Sequence, residues 1–281
     1  MLDRMFTAAH KEIQVNLRNV IAATAALVVA GSANAVVFPD FTVDPDLIAG
    51  GPTFIADKIT GNYVEVITFG PGNAFNVSLQ WSAGQFVMND GVTAIPSGVS
   101  GLGSTYGLYA LFQGSGTFST APLTNVTTFV LNAGGGVRFF YDDTGFGDTT
   151  FVAPLNGSLP WTTGNNIDDV ELANGAAISG GGTLDPSLST CGGVGGGINC
   201  GSFGQTTGFN LTANGSKFFI NPIPFYNISF QSGQLNNFTV TGTQTINGSL
   251  DAVFGSVPEP ASLALVGLAL VGLGVSRRRA V

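Results

Sequence analysis

The sequence of 281 residues contains few of the side chains on which much enzyme chemistry depends. It has one histidine, His10, and two cysteines, and only 9% of its residues are charged. His10 lies in an N-terminal stretch that we expect to be removed on export. Without it the chain has no imidazole, which excludes a Ser-His-Asp triad, a Cys-His pair and an imidazole metal ligand.

Basic residues are also scarce away from the two ends of the chain. Residues 36–256 contain three, Lys58, Arg138 and Lys217, against fourteen acidic residues, which gives this region a formal charge of −11. Nucleic acids and anionic lipids attract proteins mainly through basic side chains. The charge balance therefore disfavours both as partners.

No stretch between the two ends has the period of a long amphipathic helix. Short runs of β-branched and aromatic residues, separated by Gly, Asn and Pro, instead predict strands. Pro71-Gly72 predicts a hairpin turn, and Asn247-Gly248 predicts a second one. We therefore expect one all-β domain over residues 36–256, an antiparallel β-sandwich of jelly-roll-like type rather than a closed, cylindrical sheet. The predicted strands are residues 62–69, 75–81, 106–113, 127–131, 137–141, 208–212, 226–230 and 238–254.

The two cysteines, Cys191 and Cys200, flank a glycine-rich stretch. In an exported chain we expect them to form a disulfide. A zinc site is the alternative, but two thiols without a nearby histidine are an incomplete ligand set.

Acidic residues form two groups in turn-like sequence. Asp side chains commonly cap the backbone in such turns, so we expect no catalytic residue among them. A carboxylate pair from either group would be the minimum for a glycosidase, and the first group is also a calcium candidate without EF-hand spacing. The first group is Asp142, Asp143 and Asp148, and the second is Asp168, Asp169 and Glu171.

Aromatic residues provide the alternative of a carbohydrate-binding module, since flat rings can stack on sugars. Aromatic residues in a β domain more often belong to the core. The candidates are Trp81, Trp161, Tyr106, Tyr109 and Tyr141.

The N-terminal end has the three parts of a secretory signal peptide, which we assign to residues 1–35. Basic residues precede the apolar residues 20–30, and Ala33-Asn34-Ala35 provides a small-x-small cleavage site. We expect the mature protein to begin at Val36.

The C-terminal end, residues 257–281, predicts a second signal. Pro258, Glu259 and Pro260 precede an apolar run, residues 261–275, which predicts a helix of about 22 Å, short of a hydrocarbon core of about 30 Å. Arg277, Arg278 and Arg279 follow and favour a cytoplasmic end. This pattern resembles the PEP-CTERM sorting signal of exopolysaccharide-producing Gram-negative bacteria. The resemblance implies that exosortase is a partner and that membrane attachment is transient.

Four further stretches carry a second resemblance: residues 54–63, residues 106–112, residues 183–191 with 200–204, and residues 225–230. They resemble flocculation-associated PEP-CTERM proteins of the PepA type. This resemblance implies a non-enzymatic component of the cell surface or extracellular matrix that acts in floc formation with exopolysaccharide. We expect no cofactor other than the calcium candidate above. A carbohydrate-binding module and a hydrolase that trims exopolysaccharide are the alternative functions.

Overall fold

The structure is a computed structural model that describes residues 38–47, 52–143, 148–191, 197 and 199–255. The predicted signal peptide, with Ala33 and Ala35, lies outside the described residues. The predicted sorting signal at residues 257–281 lies outside them as well. Within the described ranges, no helix combines the length and the apolar character needed to cross a membrane.

Strands account for nearly all regular structure in the described residues. A 3-10 turn at Pro71–Asn73 and two four-residue helices, α1 (Ser97–Ser100) and α2 (Gly215–Phe218), lie between them. The strands are β1 (Phe41–Val43), β2 (Phe54–Ala56), β3 (Lys58–Phe69), β4 (Ala74–Met88), β5 (Thr93–Ala94), β6 (Gly107–Thr120), β7 (Thr127–Leu131), β8 (Gly134–Asp142), β9 (Thr150–Val152), β10 (Thr162–Gly164), β11 (Val170–Leu184), β12 (Gly201–Thr207), β13 (Asn210–Leu211), β14 (Phe219–Asn221), β15 (Asn227–Ser232) and β16 (Thr243–Gly255).

Eleven of these strands form one antiparallel sheet. Ten follow the order β5-β4-β3-β16-β15-β12-β11-β7-β6-β8, and the eleventh, β13, pairs with β11 off this path. Strand β4 also pairs with β6, and β11 also pairs with β8, so the path of strand pairings closes on itself. The sheet surrounds one hydrophobic core. The predicted all-β antiparallel sandwich class is confirmed, whereas the closed path of pairings differs from the expectation of a sheet that does not close. Two small sheets, β14-β1-β2 and β10-β9, complete the described structure.

The core is rich in aromatic side chains that alternate inward along the strands. Trp81 of β4 is fully buried, and its Nε1 donates a hydrogen bond to the carbonyl oxygen of Leu250, 2.8 Å away. Gly61 of β3 lies against this indole, because a Cβ atom at position 61 would be only 2.4 Å from Trp81 Nε1. Only glycine allows this close approach.

The structure confirms the hairpin predicted at Pro71-Gly72, which joins β3 to β4. The hairpin predicted at Asn247-Gly248 is wrong, because both residues lie inside the continuous strand β16 and pair with Val64 and Tyr63. Gly248 is a close-approach position, since a Cβ there would lie 3.1 Å from the Tyr63 ring. Strands β11 and β12 were not predicted.

A disulfide joins Cys191 to Cys200, as predicted, with the Cα atoms 4.4 Å apart. Both residues are buried and belong to the main core. The bridge lies within the connection between β11 and β12, with Cys200 directly before β12. Asp185 N donates to the Cys200 carbonyl oxygen at 2.6 Å. The disulfide thus fixes the connection between two central strands of the sheet.

Candidate functional site

The aromatic side chains considered for sugar stacking lie in the interior. Each of them is at most 9% exposed, so they do not form an exposed stacking platform. Tyr106, for example, stacks on Tyr141 and donates a hydrogen bond to the Ser100 carbonyl oxygen at 2.9 Å. These residues are Trp81, Trp161, Tyr106, Tyr109 and Tyr141.

Glu171 of the second acidic group lies in β11, not in a turn as predicted. Arg138 of β8 donates two hydrogen bonds to its Oε2, at 2.5 and 3.0 Å, and the guanidinium group lies over the Phe140 ring. Asn174 donates to Oε1 at 2.9 Å. Glu171 is therefore engaged in a cross-strand ion pair between β8 and β11.

The Asp169 carboxylate is held by two hydroxyl groups. Tyr109 donates a hydrogen bond to Oδ2, and Thr149 Oγ1 donates to Oδ1 at 3.0 Å. The pKa of Asp169 is raised by burial and by the negative charges of Asp142 and Asp168, which outweigh the lowering effect of the two hydroxyl groups. Asp169 thus supports the loop before β11 from the inside.

Three carboxylates from separate parts of the chain meet beside Asp169. One oxygen from each of Asp142, Asp148 and Asp168 lies within 4.8 Å of the others. Asp142 ends β8, Asp148 precedes β9, and Asp168 precedes β11. Desolvation and the charges of Asp168 and Asp142 raise the pKa of Asp148. We call these three residues the aspartate cluster.

The aspartate cluster differs by one residue from the calcium site considered from the sequence, which was Asp142, Asp143 and Asp148. Asp143 does not belong to it, because consecutive residues of an extended chain point in opposite directions. Asp142 is 2% exposed, whereas the next side chain, Asp143, faces solvent. Asp168 takes its place, and it comes from the acidic group that was considered separately. The predicted turn position of Asp142 is also wrong, since it is the last residue of β8.

A polar groove crosses the outer face of four adjacent strands, β11, β12, β15 and β16. Its volume of about 630 Å³ lies within the roughly 300–1,000 Å³ of small-molecule sites. The hydroxyl groups of Thr206 in β12 and Ser229 in β15 form a hydrogen bond of 2.8 Å. Asp251 forms an ion pair with Lys58, with 2.9 Å between Oδ2 and Nζ. We call this surface the polar groove, defined by Ser179, Ser202, Thr206, Ser229, Gln231 and Asp251.

Glycine makes the polar groove shallow and open. Gly181 and Gly204 line it and present backbone in place of side chains. A Cβ at Gly181 would lie 2.8 Å from the Phe129 carbonyl oxygen, so the neighbouring strand approaches closely there. The glycines that made β11 resemble a loop in the sequence thus shape this surface.

A narrow apolar cavity lies on the opposite, inner face of the same sheet. Its volume is about 60 Å³, which is room for a few water molecules only. Glu65 of β3 and Gln205 of β12 face it among aliphatic and aromatic side chains, and Gln205 Nε2 has no hydrogen-bond partner. Burial raises the pKa of Glu65 to about 7. The cavity is too small for a sugar.

Comparison with known proteins identifies the C-terminal signal. The PEP-CTERM protein-sorting motif matches residues 256–279, which include Pro258, Glu259, Pro260 and the cluster Arg277–Arg279. The motif indicates an exported protein that is sorted by exosortase and carries a C-terminal membrane-anchoring signal. No curated protein and no solved structure matches the chain.

Proposed function

We propose that the exported domain is a non-enzymatic component of the extracellular matrix that binds exopolysaccharide through the polar groove and contributes to floc formation. The sorting motif supports delivery to the cell surface. The resemblance to flocculation-associated PEP-CTERM proteins supports the role in flocs. The single structural observation that carries the proposal is the polar groove.

The chemistry of the polar groove suits a neutral polysaccharide segment. Hydroxyl and amide groups both donate and accept hydrogen bonds, as sugar hydroxyls do. The groove is open, so an internal segment of a long polymer can lie across it and binding does not require a chain end. Ser202 and Gln231 are exposed and free to adapt to a ligand. Each groove contributes little affinity, and many copies of the protein on one polymer bind by avidity.

The stretches that resemble the floc family support the fold around this groove. Residues 225–230 and residues 200–204 include parts of β15 and β12, which carry the groove on their outer faces. Their inward residues Ile228 and Phe230 are buried in the core. The resemblance therefore concerns the scaffold that positions the groove.

The proposal includes the absence of hydrolysis. Histidine is lacking after export, Asp169 is hydrogen-bonded by two hydroxyl groups, and Glu171 is paired with Arg138. We expect no release of reducing ends from the exopolysaccharide of the producing strain. Release that disappears in Asp142→Asn or Asp169→Asn would support the hydrolase alternative and overturn this part of the proposal.

The groove is tested by a matched pair of glutamine variants. Gln231→Ala removes an exposed amide from the polar groove, and Gln85→Ala removes an exposed amide from β4, outside it. The full-length protein, purified in mild detergent, is sedimented with exopolysaccharide from its own strain. We expect Gln231→Ala to reduce the co-sedimented fraction several-fold and Gln85→Ala to leave it unchanged.

Two outcomes would contradict the proposal. If the wild-type protein does not sediment with the polymer, the matrix role is wrong. If both variants sediment as the wild type does, the polar groove is not the binding surface.

A further inference from the structure

We propose that the aspartate cluster, Asp142, Asp148 and Asp168, binds a divalent cation, with Ca²⁺ as the ion of best fit. The proposal is independent of exopolysaccharide binding, because the cluster belongs to the loops around β8, β9 and β11 and does not line the polar groove. Acidic clusters on a protein surface are common without an ion. The aspartate cluster differs from such surface clusters because Asp142 is buried and one of its carboxylate oxygens has no hydrogen-bond partner.

Asp142 presents a buried carboxylate with one unpartnered oxygen. The residue is 2% exposed, and Oδ1 has no hydrogen-bond partner. Among the described residues, Oδ2 accepts a long hydrogen bond from Thr149 N, at 3.4 Å. A buried carboxylate normally receives several hydrogen bonds or an opposite charge. One oxygen of this buried carboxylate lies within 4.8 Å of an oxygen of Asp148 and of one of Asp168. The carboxyl group with the unpartnered oxygen is therefore part of the cluster.

Protein cations do not meet this demand in the described structure. Lys58 is paired with Asp251, and Arg138 is paired with Glu171. The domain contains one further basic residue, Lys217, which lies in α2. Three carboxylates with oxygens within 4.8 Å repel one another unless protons or a cation reduce their charge. An external cation removes this repulsion at all three residues together.

The ligand chemistry favours calcium over other common ions. All three candidate ligands are carboxylates, and hard oxygen ligands suit Ca²⁺ and Mg²⁺, whereas zinc prefers nitrogen and sulfur. Ca²⁺ takes six to eight oxygens in flexible geometry, so three carboxylates and water can complete its shell. Mg²⁺ requires nearly ideal octahedral geometry, which loops from three parts of the chain do not readily provide.

The hydrogen bonds behind the cluster hold the loops in place for binding. Thr149 donates its N–H to Asp142 and its hydroxyl to Asp169, and Tyr109 also donates to Asp169. Asp169 is therefore a positioning residue for its neighbour Asp168. A bound ion would connect the end of β8 to the chain segments that lead into β9 and β11. We expect binding to stabilise the folded domain.

The test measures thermal unfolding of the full-length chain, purified in mild detergent and freed of metal with a chelator. CaCl₂ is raised to about 10 mM against NaCl of equal ionic strength. Extracellular calcium modules bind with dissociation constants of about 10⁻⁴–10⁻³ M. With that affinity, we expect calcium to raise Tm by roughly 3–6 °C, and an equal concentration of MgCl₂ to raise it less.

Asp148→Asn and Asp143→Asn form the matched pair. Both side chains are exposed, both changes remove one negative charge, and only Asp148 belongs to the cluster. We expect Asp148→Asn to weaken calcium binding about tenfold or more and Asp143→Asn to retain the wild-type shift in Tm. Equilibrium dialysis with radioactive calcium provides the direct reading of bound ion.

The absence of a calcium-dependent shift in the wild-type protein would overturn the proposal. An equal shift in wild type and Asp148→Asn would place the ion elsewhere and would also overturn it. Loss of the shift in both variants would indicate a diffuse effect of net charge rather than a site.

Discussion

The clearest energetic prediction concerns Glu65, which is buried in the apolar cavity. The described structure gives its side chain no hydrogen bond, and burial alone raises its pKa from 4.5 to about 7. At roughly 1.36 kcal/mol for each pKa unit, this difference corresponds to about 3 kcal/mol. The change Glu65→Gln keeps the size of the side chain and removes its charge at every pH.

The sign follows from proton linkage. Below about pH 4.5 Glu65 is protonated in both the folded and the unfolded state, and its ionisation costs nothing. As the pH rises toward 7, the unfolded state releases the proton while the folded state retains it, so the free energy of unfolding falls. Above about pH 7 the loss is complete. Relative to wild type, Glu65→Gln should therefore gain up to about 3 kcal/mol of stability at pH 8 and little at pH 4.

Urea unfolding, followed by the fluorescence of the buried Trp81 and Trp161, measures this difference at several pH values between about 4 and 8. The control is Glu171→Gln, the only other glutamate change available in residues 36–256. Hydrogen bonds from Arg138 and Asn174 outweigh burial and lower the pKa of Glu171, so its loss should destabilise the protein near neutral pH. If wild type and Glu65→Gln keep a constant difference across this range, the reasoning about Glu65 is wrong.

Two further predictions concern stability. Replacing Cys191 and Cys200 together by alanine should lower the free energy of unfolding by about 2.5–3 kcal/mol, because the disulfide closes a loop of about ten residues and so reduces the entropy of the unfolded chain. Urea unfolding measures this difference, and an unchanged midpoint would contradict the prediction. Gly61→Ala should cost about 1–3 kcal/mol or more, because its Cβ would displace the Trp81 indole from the Leu250 carbonyl oxygen. A wild-type Tm and near-ultraviolet spectrum for this variant would refute the close approach.

The strands that could be predicted are those with branched and aromatic residues. Strand β7 (Thr127–Leu131) was predicted with its observed bounds. Its sequence, Thr-Thr-Phe-Val-Leu, consists mainly of β-branched and aromatic residues, which are enriched in strands. Strand β11 was missed since it contains Gly180, Gly181 and Gly182, whose intrinsic preference for strands is low. Pairing with β7 and β12 on both sides outweighs that preference.

Parts of the candidate sites depend on contacts that the sequence pattern does not reveal. Asp168 joins Asp142 and Asp148 only because β8 and β11 pair in the folded sheet. The exclusion of Asp143, in contrast, follows from strand alternation once β8 is known to extend to Asp142. Glu65 was not recognised as a buried charge, although the alternating pattern of residues 62–69 was the available signal.

The central claim is export of the protein and its sorting to the matrix. The most direct test uses a Pro258→Ala, Pro260→Ala double variant in the native strain. Membrane, cell surface and medium are fractionated to locate the protein, and floc settling is measured in parallel. Without the prolines, the helix that the sequence predicts for residues 261–275 could extend backward over the expected processing site, which we expect to need extended backbone. We predict that this variant stays uncut in the membrane and that flocs settle poorly. The triple variant Arg277→Ala, Arg278→Ala, Arg279→Ala should instead be processed erratically, because it lacks the positive charges that hold the C-terminal end in the cytoplasm. A wild-type distribution with normal settling for the proline variant would contradict the account.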